Sequence, residues 1–292
     1  MKSRYKSIEG QRLILESYDK LLASWDVDKE EKDIPTTWGT THVIIAGDPS
    51  SPPLMLLHGV GDDSALMWIY NAKELSLHFR LYAVDTMGGP GKSEPNEHYF
   101  EAFDQAEWLD EVVNALGISG ADIAGVSNGA AMTLNYTVNH LDKVGRIILM
   151  AAGGKGSMLK ILKFLPAVLF PSEKTARKLM STMGGDNISM FLDNADLMEH
   201  WGYLLKHFRN STMMQHKVPK IQDDQLAMIK ERSLWLLGEN DGLADVPKSE
   251  QWYKECGFNY KIIKNAGHGV NHQQHEIINR EIVNYLSHTL KV

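Results

Sequence analysis

The sequence predicts an α/β protein: a mostly parallel sheet flanked by helices, with a helical cap inserted late in the chain. Two observations carry this expectation. Short apolar runs closed by turn residues alternate with amphipathic stretches from residue 42 to 152, and again from 234 to the C-terminus. Between these blocks, from 153 to about 225, strand signals vanish and only helical periods remain.

In chain order, Leu15, Tyr18, Leu22 and Trp25 recur at steps of three and four, predicting a helix over 8–25. The charged segment 26–33, ending at Pro35, breaks that pattern and is read as an interruption. Strand-like runs follow at 42–46, 54–57 and 80–84, closed by Gly47-Asp48-Pro49, by His58-Gly59, and by Asp85 with a Gly/Pro cluster. A helix is predicted over 64–78. Another covers 99–116, where Phe103, Ala106, Leu109, Val113 and Leu116 share a stripe that stops at Gly117. Strand 121–125, helix 128–140 and the strongly apolar strand 144–152 complete the first block. The cap holds helical periods at 159–170, 173–183 and 190–208. The second block reads strand 234–237, helix 248–255, strand 260–263 and helix 276–290. The expected organisation is core 1–154, cap 155–225 and core 226–292.

Composition narrows the class. Of 292 residues, 43% are hydrophobic and 23% charged, enough apolar material for a substantial core. Lys and Arg number 30 against 37 Asp and Glu, a net charge of −7 with no basic run, which argues against nucleic acid and anionic membranes as partners. The basic start leads into no apolar signal core, and no stretch approaches the ~20 apolar residues of a membrane span. A cytoplasmic location is therefore expected. The single cysteine, Cys256, excludes an intrachain disulfide and a cysteine-rich metal site. Half of the 14 methionines (Met158, Met180, Met183, Met190, Met198, Met213 and Met214) fall in the cap, where adaptable thioethers suit varied apolar groups.

The chemistry centres on Gly125-Val126-Ser127-Asn128-Gly129, a G-x-S-x-G between a predicted strand and a predicted helix. A nucleophile on so tight a turn has strained backbone, and its neighbours two residues away must be small. The following helix points its positive end at Ser127. A serine nucleophile needs a base and an orienting acid. Asp241 follows strand 234–237, with Asp245 one helical turn further on as its competitor, and His268 follows strand 260–263. All three candidates lie at strand C-terminal ends, where parallel sheets bind ligands. After strand 54–57 comes His58-Gly59-Val60-Gly61. Its turn would supply the Val60 N–H to an oxyanion, alongside the N–H of Asn128. His58 is expected to shape that turn, and Asp62, Asp63 and Ser64 to cap the helix after it.

The set His58-Gly59, Asp85…Gly88-Gly89-Pro90-Gly91-Lys92-Ser93, Gly125–Gly129, Asp241 and His268 resembles the α/β-hydrolase superfamily over nearly the whole chain. The helical N-terminus, the Asp-x-x-Gly…Lys-Ser-x-Pro segment and the cap are also similar to bacterial carboxylesterases of the naproxen-esterase group. The resemblance implies Ser127 as nucleophile, His268 as base and Asp241 as acid, in an enzyme that cleaves small-molecule esters. Asn128 departs from the small, bulky-apolar or Gln residue of many relatives. Trp68, Met158 and Met190 are expected to touch substrate. No cofactor or metal is expected: Pro90-Gly91-Lys92-Ser93 lacks the first glycine of a phosphate loop, where Thr86 stands, and His272 and His275 fall at a helix start without a zinc-ligand pattern. The alternative from another class is a ligand-sensing or partner-binding protein that keeps an intact triad on this fold.

Overall fold

The structure is a computed structural model and describes residues 3–152, 173–185, 187–216 and 221–287. Nine strands form one sheet: β1 (Lys29–Thr36), β2 (Gly39–Ala46), β3 (Pro53–Leu57), β4 (Arg80–Val84), β5 (Glu94–Pro95), β6 (Ala121–Val126), β7 (Val144–Met150), β8 (Ser233–Gly238) and β9 (Asn259–Ile263). Their order is β1-β2-β4-β3-β6-β7-β8-β9, with β5 beside β2. From β4 to β9 every pairing is parallel, while β1, β2 and β5 pair antiparallel at one edge.

The two-residue period of the strands builds two cores. Leu54, Leu56, Ala124, Ile148, Leu234 and Leu236 face one side, packed under the helices Ile8–Ala23 and His275–Ser287. Met55, Leu57, Ile123, Ile147, Leu149 and Leu237 face the other, under Gln105–Leu116, Asn128–Asn139 and Val246–Cys256. Both faces are covered, which is why these strands read as continuous apolar runs.

Three expectations are corrected. The charged segment after residue 26 is not a break: β1 runs through it, antiparallel to β2. It is an edge strand with only Ile34 buried, so it shows no apolar alternation, and its charges and Pro35 suit an unpaired edge. The helix over 64–78 is two short pieces, Ser64–Met67 and Ala72–Leu75. Between them Asn71 donates to Asn271 O (3.1 Å) and Asn279 Oδ1 (2.7 Å), bonds that tie this turn to the C-terminal helices. The helix over 99–116 is likewise split into Glu97–Ala102 and Gln105–Leu116, because Asp104 caps a new start by accepting from Ala106 N (2.9 Å) and Glu107 N (3.2 Å).

Between β7 and β8 the described α-helices are Glu173–Gly184, Ser189–Leu192, Asp223–Ile229 and Ala195–His207. The last lies along Ile8–Ala23, and the chain before that N-terminal helix bridges Tyr5 to Phe208. Arg4, buried, donates to Gly89 O (2.8 Å) and Gly91 O (3.0 Å). The N-terminus thus straps the inserted helices to the loop after β4. Among the described residues no helix is long and apolar enough to cross a membrane.

Candidate active site

Loops after β3, β6, β8 and β9 converge at the C-terminal edge of the sheet. Ser127 joins β6 to the helix Asn128–Asn139 with φ 55° and ψ −113°, a left-handed conformation that a serine adopts only under constraint. A Cβ on Gly125 would run into the Gly129 carbonyl, and one on Gly129 into the Leu57 carbonyl. Two absent methyl groups therefore permit the turn. Ser127 N donates to Met150 O (2.8 Å), and Ser127 O accepts from Ala131 N (3.2 Å), fixing the residue to β7 and to the helix.

His268 Nε2 lies 3.0 Å from Ser127 Oγ, and its Nδ1 lies 2.9 Å from Asp241 Oδ2. Asp241 is buried, and its other oxygen accepts from Leu243 N (2.8 Å) and Ala244 N (3.0 Å), so the carboxylate has one orientation. An acceptor-only carboxylate assigns the ring proton to Nδ1 and leaves Nε2 to accept from the Ser127 hydroxyl. Asp245, the competing acid, instead caps the helix Val246–Cys256 and pairs with Lys248 Nζ at 3.1 Å.

The loops that carry His268 and Asp241 are held from the chain between β7 and β8. Met183 O, in the last turn of Glu173–Gly184, accepts from His268 N (2.8 Å) and Gly242 N (3.4 Å). Gln273 accepts from Gly267 N (2.7 Å) and donates to Gly184 O (2.8 Å). A helix carbonyl end on these two loops favours the positive charge that a proton-accepting imidazole acquires.

On the opposite side lies the turn after β3. His58, buried, donates from Nδ1 to Gly59 O (2.9 Å) and accepts at Nε2 from Thr86 N (2.9 Å), so it shapes the turn. Asn128 N is the first amide of its helix, and among the described residues neither it nor Val60 N donates to an acceptor. Val60 is 51% exposed.

Asp63 caps Ser64–Met67 through Leu66 N (3.0 Å), and its other oxygen lies 2.7 Å from His200 Nε2. Burial opposes its charge, but the adjoining His200 and the hydrogen bonds outweigh it and hold Asp63 below the usual carboxylate range. Asp62 does not cap. Its carboxyl has no hydrogen-bond partner among the described residues, and burial, then the Asp63 charge, push it up to about 7 against the pull of His200 and His268. No sequence spacing links Asp63 to His200; that relation arises from the fold.

Of the residues expected to touch substrate, Trp68 is wholly buried in the core. Met190 is half-buried, its carbonyl accepting from Tyr70 OH (3.0 Å), and Met158 lies outside the described residues. His272 donates to Leu66 O (3.0 Å) and His275 Nδ1 lies 3.2 Å from His272 O, so both are engaged by backbone carbonyls. The Asp85 loop closes on itself: the carboxylate accepts from Ser64 N (2.9 Å) and Lys92 N (2.8 Å), and Ser93 Oγ donates to Asp85 O (2.6 Å).

The sequence pattern of the alpha/beta hydrolase fold family matches residues 52–219, more than half of the chain. The chain belongs to the α/β-hydrolase family. This α/β-hydrolase is 27% identical to carboxylesterase YbfK of Bacillus subtilis over 303 residues, covering 99% of this chain and 98% of that protein. The crystal structure of naproxen esterase (carboxylesterase NP) from Bacillus subtilis is similar with a TM-score of 0.84 at 25% identity, covering 96% of this chain and 99% of that one. Carboxylesterase CesB (YbfK) from the same organism gives a TM-score of 0.80 at 25% identity, with the same coverage.

Proposed function

We propose that this α/β-hydrolase is a carboxylesterase in which Ser127 is the nucleophile, His268 the general base and Asp241 its orienting acid. The observation that carries the reading is the unbroken Ser127–His268–Asp241 chain of hydrogen bonds at 3.0 and 2.9 Å, in a chain similar over its full length to carboxylesterases. Ser127 Oγ attacks the ester carbonyl carbon while His268 Nε2 takes its proton. Asp241 stabilises the imidazolium that forms. The N–H groups of Val60 and Asn128 receive the oxyanion, each worth about 3–4 kcal/mol in comparable sites. The C–O bond to the alcohol then breaks, and His268 returns the proton to the leaving oxygen. Water, deprotonated by His268, attacks the acyl-serine and releases the acid. The division into core 1–154, cap 155–225 and core 226–292 belongs to the same proposal, with the cap covering the serine.

The test is multiple turnover on short- and medium-chain p-nitrophenyl esters. Ser127→Ala is expected to lower kcat by at least about 10^4-fold with its circular dichroism unchanged. Substantial residual turnover would sink the mechanism. A single slow turnover with tight retention of ligand would favour the ligand-sensing reading instead.

A further inference from the structure

The turn after β3 presents two adjacent carboxyls with opposite fates. Asp63 turns inward, where Leu66 N and His200 satisfy both of its oxygens. Asp62 is partly exposed, and its carboxyl and the Ser127 side chain border the same point beside Gly59. Its Oδ2 lies 3.4 Å from the point where a Cβ on Gly59 would sit, and the Ser127 Cβ lies 3.6 Å from that same point. Met67 Cε, 3.7 Å away, closes the third side. Among the described residues this carboxyl has no hydrogen-bond donor, which leaves it an open acceptor close to Ser127. An anion this close to the Ser127 side chain bears on the charge of whatever binds there.

We propose that Asp62 is a specificity-determining residue that selects esters bearing a cationic group near the scissile bond over neutral and anionic ones. This rests on the carboxylesterase reading. Opposite charges a few ångströms apart at a protein surface attract, so the preference is expected to be about tenfold. The preference is also expected to titrate. Asp62 is pushed up to about 7 by burial and by Asp63 from its own turn, against His200 from Ala195–His207 and His268 from the loop after β9. Above that pH Asp62 is an anion and discriminates; below it the neutral acid does not.

The experiment compares isosteric p-nitrophenyl esters, 4-(trimethylammonio)butyrate against 5,5-dimethylhexanoate, and the isosteric alcohols choline and 3,3-dimethylbutanol as butyrates. The wild-type ratio of kcat/KM, cationic over neutral, is expected to be about tenfold at pH 8 on at least one pair and to fall towards one at pH 6. Asp62→Asn, close in shape, is expected to give a flat ratio near one at both pH values. A wild-type ratio near one on both pairs, or an Asp62→Asn ratio that still titrates, overturns the proposal while leaving the esterase reading standing. Absence of wild-type turnover on the neutral esters overturns that reading, and this proposal with it.

Discussion

Ser127 tolerates its left-handed backbone because Gly125 and Gly129 leave room for carbonyls where side chains would otherwise stand. The obstacle at Gly129 is the Leu57 carbonyl, backbone of a central strand, which cannot swing aside as a flexible side chain would. Gly129→Ala is therefore expected to destabilise the fold by about 1–3 kcal/mol and to lower kcat by displacing Ser127, read by urea unfolding alongside ester turnover. These glycines were legible because their steric demand is local: five consecutive residues contain both the demand and its answer. Asp241 and His268 were legible for a related reason, since each stands just past a strand. Asp62 was not. Its neighbour Asp63 has the same chemistry, and only the fold decides that one carboxyl meets His200 while the other lies beside Gly59.

At the scale of elements, three segments distant in sequence meet at one buried histidine. His200, on Ala195–His207, pairs with Asp63 in the turn after β3 at 2.7 Å, and its Nδ1 meets Ser17 Oγ on Ile8–Ala23 at 2.7 Å. Asp63 and His200 are both fully buried, and Ser17 nearly so. The N-terminal helix, the inserted helix and the candidate oxyanion turn are thus fixed to one another through side chains. His200→Ala would strand a buried carboxylate, and the expected loss is about 3–5 kcal/mol in chemical denaturation. Asp63→Asn in the same chain is expected to recover part of it, because the stranded charge is then gone. A double mutant no more stable than His200→Ala would show that the histidine only fills space. The sequence showed each helix by its period but not this junction, because pairing across 137 residues leaves no local mark. The edge strand β1 escaped for the converse reason: it buries only Ile34, so the apolar alternation that betrays a strand is absent.

Over the whole molecule, the alternation of apolar runs and helices foretold the parallel sheet because a strand buried on both faces must be apolar throughout. Burial on that scale also encloses titratable groups, and these give the stability a pH dependence of definite sign. His216 donates to Met87 O (2.6 Å) and accepts from Gln105 Nε2 (2.9 Å), while His272 donates to Leu66 O (3.0 Å). Burial lowers both, each to about 4. Below an unfolded value of about 6.5 the unfolded chain takes up protons that the native histidines refuse, so stability falls as pH drops towards about 4 and levels off below it. Each histidine contributes up to about 3 kcal/mol to that loss. Asp62 acts in the opposite direction. Its carboxyl, raised to about 7, binds a proton in the native state before the unfolded chain does, so it gains stability as pH falls between about 7 and 4. Two histidines outweigh one carboxyl, and the net expectation is acid destabilisation across this window. Urea midpoints measured from pH 7.5 to 4 test it, and Asp62→Asn separates the opposing parts. Without the carboxyl, the acid loss is expected to steepen. An unchanged slope would mean that Asp62 is ionised in the native protein throughout, and would remove the physical basis for its titrating selectivity.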